Sequence, residues 1–250
     1  MHGEPVGHEH PYFCNESNCV HVESNAKDRF GFDDASVRAG FVRKVFAIVS
    51  VMFLVVVVMT TPVIADADVR LWMITNSWIQ LLALLVFMAT MITLMCCQSL
   101  ARNFPINLVL LGVFTVSAGL ISMVACARVP PATVLLALVT TTLSCSAIIL
   151  FASQTSFDVT RHMFIIFAAG TAVAIFGVVL MILSLFVYIK VLHTVFTALV
   201  CVSFMAYLAV DIQMIVGGRR YNLSPEEYVF ASLLLFIDIY EIFLTLLSLF

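Results

Sequence analysis

Apolar residues dominate seven stretches of this chain, and a short polar cluster follows each of the first six. The stretches run from about Val45 to Ile64, Trp78 to Cys97, Ile106 to Ala127, Ala132 to Ala152, Met163 to Tyr188, Val195 to Val216 and Tyr228 to Phe250. Each approaches or reaches the roughly 20 mostly apolar residues that a helix needs to cross a bilayer. The breaks between them are chemically clear. Asp66, Asp68 and Arg70 form a polar loop, and Arg102, Asn103 and Pro105 make the next turn. Arg128-Val129-Pro130-Pro131 interrupts helix by removing backbone donors and crowding the preceding turn. Ser153 to His162 is polar, Lys190 and His193 mark a tight turn, and Gly217-Gly218-Arg219-Arg220 closes the sixth stretch. The pattern predicts an all-α membrane protein, a bundle of seven transmembrane helices. Residues 1–36 are expected to be a flexible cytosolic tail, and residues 37–250 the membrane domain.

Composition strengthens this picture. Of 250 residues, 62% are hydrophobic and 11% charged, and the mean hydropathy is +1.11. Soluble domains carry about a quarter charged residues, and a water-soluble fold of this size has too much surface to hide so much apolar area. The first 36 residues hold no apolar core of the kind a cleavable signal needs, so the first span is expected to direct insertion. No basic run suits nucleic acid, and none is expected as a partner. Cys96, Cys97, Cys126, Cys145 and Cys201 lie in or beside apolar segments and read as small buried hydrophobes. Cys14 and Cys19 share the tail with His8, His10 and His21, but their spacing matches no common zinc pattern, and no metal site is assigned.

The distribution of Lys and Arg sets an expected orientation. Nine lie in the tail and the loops after the second, fourth and sixth spans: Lys27, Arg29, Arg38, Arg43, Lys44, Arg102, Arg161, Arg219 and Arg220. Three lie on the other side, Arg70, Arg128 and Lys190. The N-terminus is therefore expected in the cytosol. The glycosylation patterns at Asn15 and Asn222 then fall on the cytosolic side and are expected to stay unused. The seventh segment either crosses fully or re-enters, and these cases place the C-terminus on opposite sides.

Three acids lie inside the apolar stretches: Asp211, Asp238 and Glu241. A charge at membrane depth costs about 3 kcal/mol or more, and such residues usually face a bundle interior or a water-filled path. Asp238 and Glu241 are three residues apart and share a helix face. Asp238 lies roughly 15 Å into the last helix at the usual rise. Asp211 lies near the end of the sixth span, with Tyr207 one turn earlier. A protonated, tolerated acid and a working one are close neighbours here, because two carboxyls sharing a site can hold one proton between them. Glu226 and Glu227 have a simpler role available. Ser224 suits an N-cap, Pro225 the first helical position, and Glu227 completes a capping box. Gly112, Gly119, Gly170 and Gly177 are expected to permit close helix contact.

These residues carry a resemblance. Val37-Arg38-Ala39-Gly40-Phe41-Val42-Arg43-Lys44-Val45, Ala152-Ser153-Gln154-Thr155-Ser156-Phe157-Asp158 and Asp211-Ile212-Gln213-Met214-Ile215-Val216-Gly217-Gly218 resemble stretches of the transmembrane Bax inhibitor motif family. The most specific segments are Leu223 to Ala231 and Leu235 to Leu244. The similarity is to the lifeguard and Golgi anti-apoptotic branch, a family with members in herpesviruses and poxviruses. It implies a seven-helix fold with the last helix inside the bundle. It also implies a pH-sensitive calcium leak of internal membranes that restrains cell death. By position, Asp211 and Asp238 match the family's pH-sensing latch, and Glu226 matches a glutamate linked to ion passage in the Golgi branch. Glu241 stands where relatives usually carry a neutral residue.

The leading expectation is therefore a calcium-permeable leak channel of the endoplasmic reticulum or Golgi membrane. Asp211, Asp238 and Glu241 would serve the ion pathway and pH latch, with Glu226 at a pore mouth. Calcium is the permeating ion, and no bound cofactor is expected. Membrane lipid and cell-death or calcium-handling membrane proteins are the expected partners. The alternative is a non-conducting, membrane-embedded partner of cell-death regulators. Other seven-helix classes fit less well. No Asp-Arg-Tyr-like or Asn-Pro-x-x-Tyr motif supports a G-protein-coupled receptor, and no Lys in the last helix supports a retinal protein. No catalytic motif of a hydrolase is present, and the chain is not expected to be an enzyme.

Overall fold

The computed structural model describes residues 16–97, 103–155, 157–187, 189–217 and 228–250, with side chains from residue 39 onward. Met1–Gly40 and Phe41–Phe250 form separate units. Helix α1 covers Glu16–Ala65, so residues 16–36, expected as a flexible tail, have a helical backbone. It is followed by α2 (Ala67–Thr75), α3 (Ser77–Cys96), α4 (Ile106–Ala127) and α5 (Pro131–Gln154). A short 3-10 turn at Val159–His162 leads into α6 (Met163–Ser184), and α7 (Lys190–Gly217) and α8 (Tyr228–Leu249) complete the order. Seven of these helices are long and apolar enough to cross a membrane, with α2 excepted. All the regular structure among the described residues is helical, as the apolar pattern predicts.

Helix α2 departs from the expected polar loop at residues 66–70. The Asp66 carboxylate accepts the backbone N–H of Asp68 at 2.9 Å, satisfying a donor that the helix start leaves free. Arg70 then serves α4. Its Nε donates to the Ala127 carbonyl at 2.9 Å and its Nη2 donates to the Val129 carbonyl. A cation at these carbonyls also suits the negative end of the helix dipole. Pro131 occupies the first turn of α5, where its missing N–H costs nothing.

The last helix lies at the centre. In its most apolar window 61% of residues are buried, against 6% for the span that contains α6. Three packed clusters explain this. Leu235, Ile242 and Leu246 of α8 join Val45 and Val49 of α1, Cys145 of α5 and Leu208 of α7. Leu233, Phe236 and Tyr240 join Met52 of α1, Phe87 of α3 and Phe114 of α4. Phe243 and Leu247 join Cys126 of α4 and Val134 and Ala137 of α5. Helix α8 thus presents apolar side chains on every side, as a buried helix must. It runs unbroken for 22 residues, about 33 Å at the usual rise and enough for a full crossing.

The small residues behave unequally. Gly119 lies against Met59 of α1, Gly170 against Tyr207 and Gly177 against Phe196. Gly112, also expected at a helix contact, has no atom within 4 Å of the point where a Cβ would stand. It opens instead onto two apolar grooves beside α4. Among the cysteines, Cys126, Cys145 and Cys201 are buried as expected. Cys96 and Cys97, also expected to be buried, are exposed at the end of α3, where the chain leaves the helix.

Candidate functional site

Helices α7 and α8 pack closely along one another, and each brings one aspartate to their shared interface. Asp211 lies about a turn and a half before the end of α7, and Asp238 in the eleventh position of α8. The two carboxyl groups lie within electrostatic reach of each other. Two carboxylates have only acceptors, so a hydrogen bond between them requires a proton on one of them. Asp238 is 6% exposed, and its Oδ2 is the buried side-chain polar atom without a donor among the described residues. An ionised Asp238 would leave that oxygen buried without a donor from the described residues. A proton held within the pair removes most of that penalty.

The surroundings of the pair are largely apolar. Val45 and Val49 of α1, Cys145 of α5 and Leu208 and Ile212 of α7 belong to the cluster packed about α7 and α8. The Cys145 thiol and the Tyr207 hydroxyl lie within electrostatic range of Asp238. Among the described residues the ion pair with a resolved distance is Arg161 with Asp158, 3.4 Å apart in the 3-10 turn. Glu241, one turn beyond Asp238, is part-buried and interacts electrostatically with it. The structure therefore brings Asp211 and Glu241 within electrostatic range of Asp238. Glu226, with the capping residues Ser224, Pro225 and Glu227, lies outside the described residues.

Two polar devices near the pair have weaker sequence signals. Gln213, two residues past Asp211, accepts the Val159 N–H at 2.8 Å and donates to the Phe157 carbonyl at 2.8 Å. It ties the 3-10 turn to the helix that carries Asp211. Its place beside Asp211 was visible, but its partner lies 54 residues earlier. Tyr240 follows Asp238 by two residues and points to the opposite neighbour. Its hydroxyl donates to the Ala118 carbonyl at 2.9 Å and accepts from the Ser122 hydroxyl at 3.2 Å. These bonds lock α8 against α4 on the side away from α7. A buried Tyr in an apolar span is the available signal, since its hydroxyl must find a partner.

Fold and site together define an all-α, seven-span membrane protein in which the central helix and its neighbour bring two aspartates together inside the bundle. Residues 38–250 match the family model described as inhibitor of apoptosis-promoting Bax1, and the chain belongs to that family. Mouse protein lifeguard 3 is 31% identical over 250 aligned residues, covering 98% of this chain and 81% of the mouse protein. Human protein lifeguard 3 is 31% identical over 230 residues, covering 91% of this chain and 74% of its own. A plant relative, Arabidopsis thaliana LIFEGUARD 3, is 24% identical over 219 residues, or 86% of each chain. The family match begins at Arg38, one residue from the start of the resemblance read in the sequence.

Proposed function

We propose that this protein is a pH-sensitive, calcium-permeable leak pathway of the endoplasmic reticulum or Golgi membrane, and that it restrains apoptosis by lowering stored calcium. The approach of Asp211 and buried Asp238 at the packed α7–α8 interface carries the reading. With one proton shared, the pair holds α7 against the central α8. Loss of that proton places two negative charges together in a low-dielectric interior, where their repulsion is strong. The helices then part and water enters. Asp238 and Glu241 become anionic ligands along the opened column, suited to a divalent cation. The restraint of apoptosis follows the description of the family. The uneven distribution of Lys and Arg supports a cytosolic N-terminus.

The test is the full chain in liposomes loaded with a calcium dye, with flux followed across pH. Wild-type flux should rise as pH rises through the titration of the pair. Asp238→Asn should abolish that dependence, because an amide donates to Asp211 without needing a shared proton. An unchanged flux and pH response in Asp238→Asn would sink the reading. A second reading has one observation behind it. The sparse burial of α6 leaves most of that helix available to another membrane protein, as a non-conducting partner of cell-death regulators would need. Protection from cell death in a variant lacking all three acids would favour it.

A further inference from the structure

Helix α6 meets its neighbour through one narrow stripe. Ile166, Gly170, Val173, Gly177 and Leu180 are its part-buried and buried positions along that line, spaced three or four apart. The stripe packs on α7, and both of its glycines receive an aromatic ring. Phe196 fills the space beside Gly177, and Tyr207 fills the space beside Gly170. At Gly170 the fit is extreme. The Tyr207 hydroxyl occupies the position of a would-be Cβ, with the ring carbon Cζ at 2.6 Å from that point and Cε2 at 3.2 Å. With this ring in place, only a hydrogen atom fits on residue 170.

Tyr207 is also one turn before Asp211 on α7, so the two share a face. Its hydroxyl lies within electrostatic range of Asp238 on α8. The ring that fills the α6 notch therefore lies one turn from Asp211 on α7 and within electrostatic range of Asp238. The other titratable groups around the pair are Cys145 of α5, which also interacts with Cys201 of α7, and Glu241 of α8. Helix α1 presents Val45 and Val49 there, while its Arg43 and Lys44 are exposed. The 3-10 turn against α7 contributes Asp158 and Arg161, which pair with each other, and His162. Helix α6 has no titratable side chain, so its influence on the pair is steric.

We propose that Tyr207, seated in the Gly170 notch, is a positioning residue for the Asp211–Asp238 pair, and that α6 thereby sets how firmly the pair is closed. This rests on the pair acting as the pH-responsive element of the leak. While α6 is seated, the ring cannot swing away from the carboxyls. When α6 yields, the ring gains room, α7 is free to rotate, and the pair loses its hold on the shared proton.

The experiment compares Gly170→Ala with Gly177→Ala in the full chain, in dye-loaded liposomes across pH. Gly170→Ala displaces the Tyr207 ring and weakens the closed pair. The midpoint of the flux should then move toward acid by about half a pH unit or more, the size of an ordinary local perturbation. Gly177→Ala crowds Phe196 instead, whose Cζ lies 2.6 Å from the added carbon, and should leave the midpoint in place. In a Tyr207→Ala background, Gly170→Ala should add nothing further. Equal shifts from both glycine variants, or no shift from either, would overturn the proposal. If Gly170→Ala does not fold, Tyr207→Ala alone must move the midpoint toward acid, and an unmoved midpoint overturns the proposal equally. Asp238→Asn is run beside them. Its loss of pH response together with an unmoved Gly170→Ala defeats the notch alone, whereas a normal pH response in Asp238→Asn defeats the pair and the notch together.

Discussion

The hydroxyl of Tyr240 donates to the backbone carbonyl of Ala118 at 2.9 Å, across 122 residues of sequence. That carbonyl belongs to the middle of α4, so the bond fixes the central helix against a helix that carries no part of the aspartate pair. Ser122 donates to the same hydroxyl at 3.2 Å, and Phe236 stacks on the Tyr240 ring with centroids 5.4 Å apart. Tyr240→Phe is predicted to keep the packing and lose the hydroxyl, leaving Ser122 short of one partner. The expected cost is about 1 kcal/mol, read as a lower midpoint of thermal unfolding in detergent. An unchanged midpoint would contradict this role.

Arg70 closes the C-terminal end of α4 by donating to the Ala127 and Val129 carbonyls. Arg70→Ala is predicted to destabilise the protein by about 1–3 kcal/mol, the range for hydrogen bonds from a charged donor. Arg70→Lys should recover part of this, because an ammonium keeps the charge but lacks the planar fork that reaches two carbonyls. Thermal unfolding of the three proteins side by side should rank them wild type, Lys, Ala.

Gln213 bridges α7 to the turn at Phe157–Val159 through both ends of its amide. Gln213→Leu is predicted to release the turn while leaving the helix intact. Hydrogen exchange at the Val159 amide should quicken about fivefold, the equivalent of roughly 1 kcal/mol for one lost hydrogen bond. Exchange within α8 should be unaffected. Equal protection at Val159 in both proteins would rule out the bridge.

Asp211→Asn and Glu241→Gln are predicted to separate the latch from the path. Asp211→Asn replaces the proton-sharing partner by a permanent donor to Asp238, so calcium flux should stay low and flat across pH. Glu241→Gln leaves the pair intact, and flux should still rise with pH. Removing one anionic ligand should instead lower calcium permeation relative to potassium, by about tenfold if one ligand accounts for about 1.4 kcal/mol. Paired calcium and potassium flux measurements distinguish the two outcomes. A Glu241→Gln protein with unaltered selectivity would remove Glu241 from the path.

Much of the architecture was legible in the chain itself. Seven apolar stretches bounded by charged or Pro-containing breaks are enough to place seven helices, because a bilayer leaves backbone groups few other ways to be satisfied. Three acids within such stretches are costly, and that cost alone marked Asp211, Asp238 and Glu241 as residues to examine. Burial by neighbours was much less legible. Helices α6 and α8 are alike in apolar length, and only the acids of α8 and the family resemblance pointed to its central place, while α6 lies at the edge of the packing. Apolarity suits lipid and protein interior equally well in a membrane, so it does not separate these positions.

The sequence by itself determined the membrane class, the approximate spans and the presence of acids within them, since each follows from transfer free energy and covalent order. Only the tertiary structure decided which groups meet. It joined Asp211 to Asp238, left Gly112 facing open grooves, and filled the notch at Gly170 with Tyr207. Gly112 and Gly170 are the same residue type in similar apolar surroundings, and no local pattern tells them apart. What separates them is whether a side chain from a distant part of the chain arrives within van der Waals reach, and that depends on how whole helices pack.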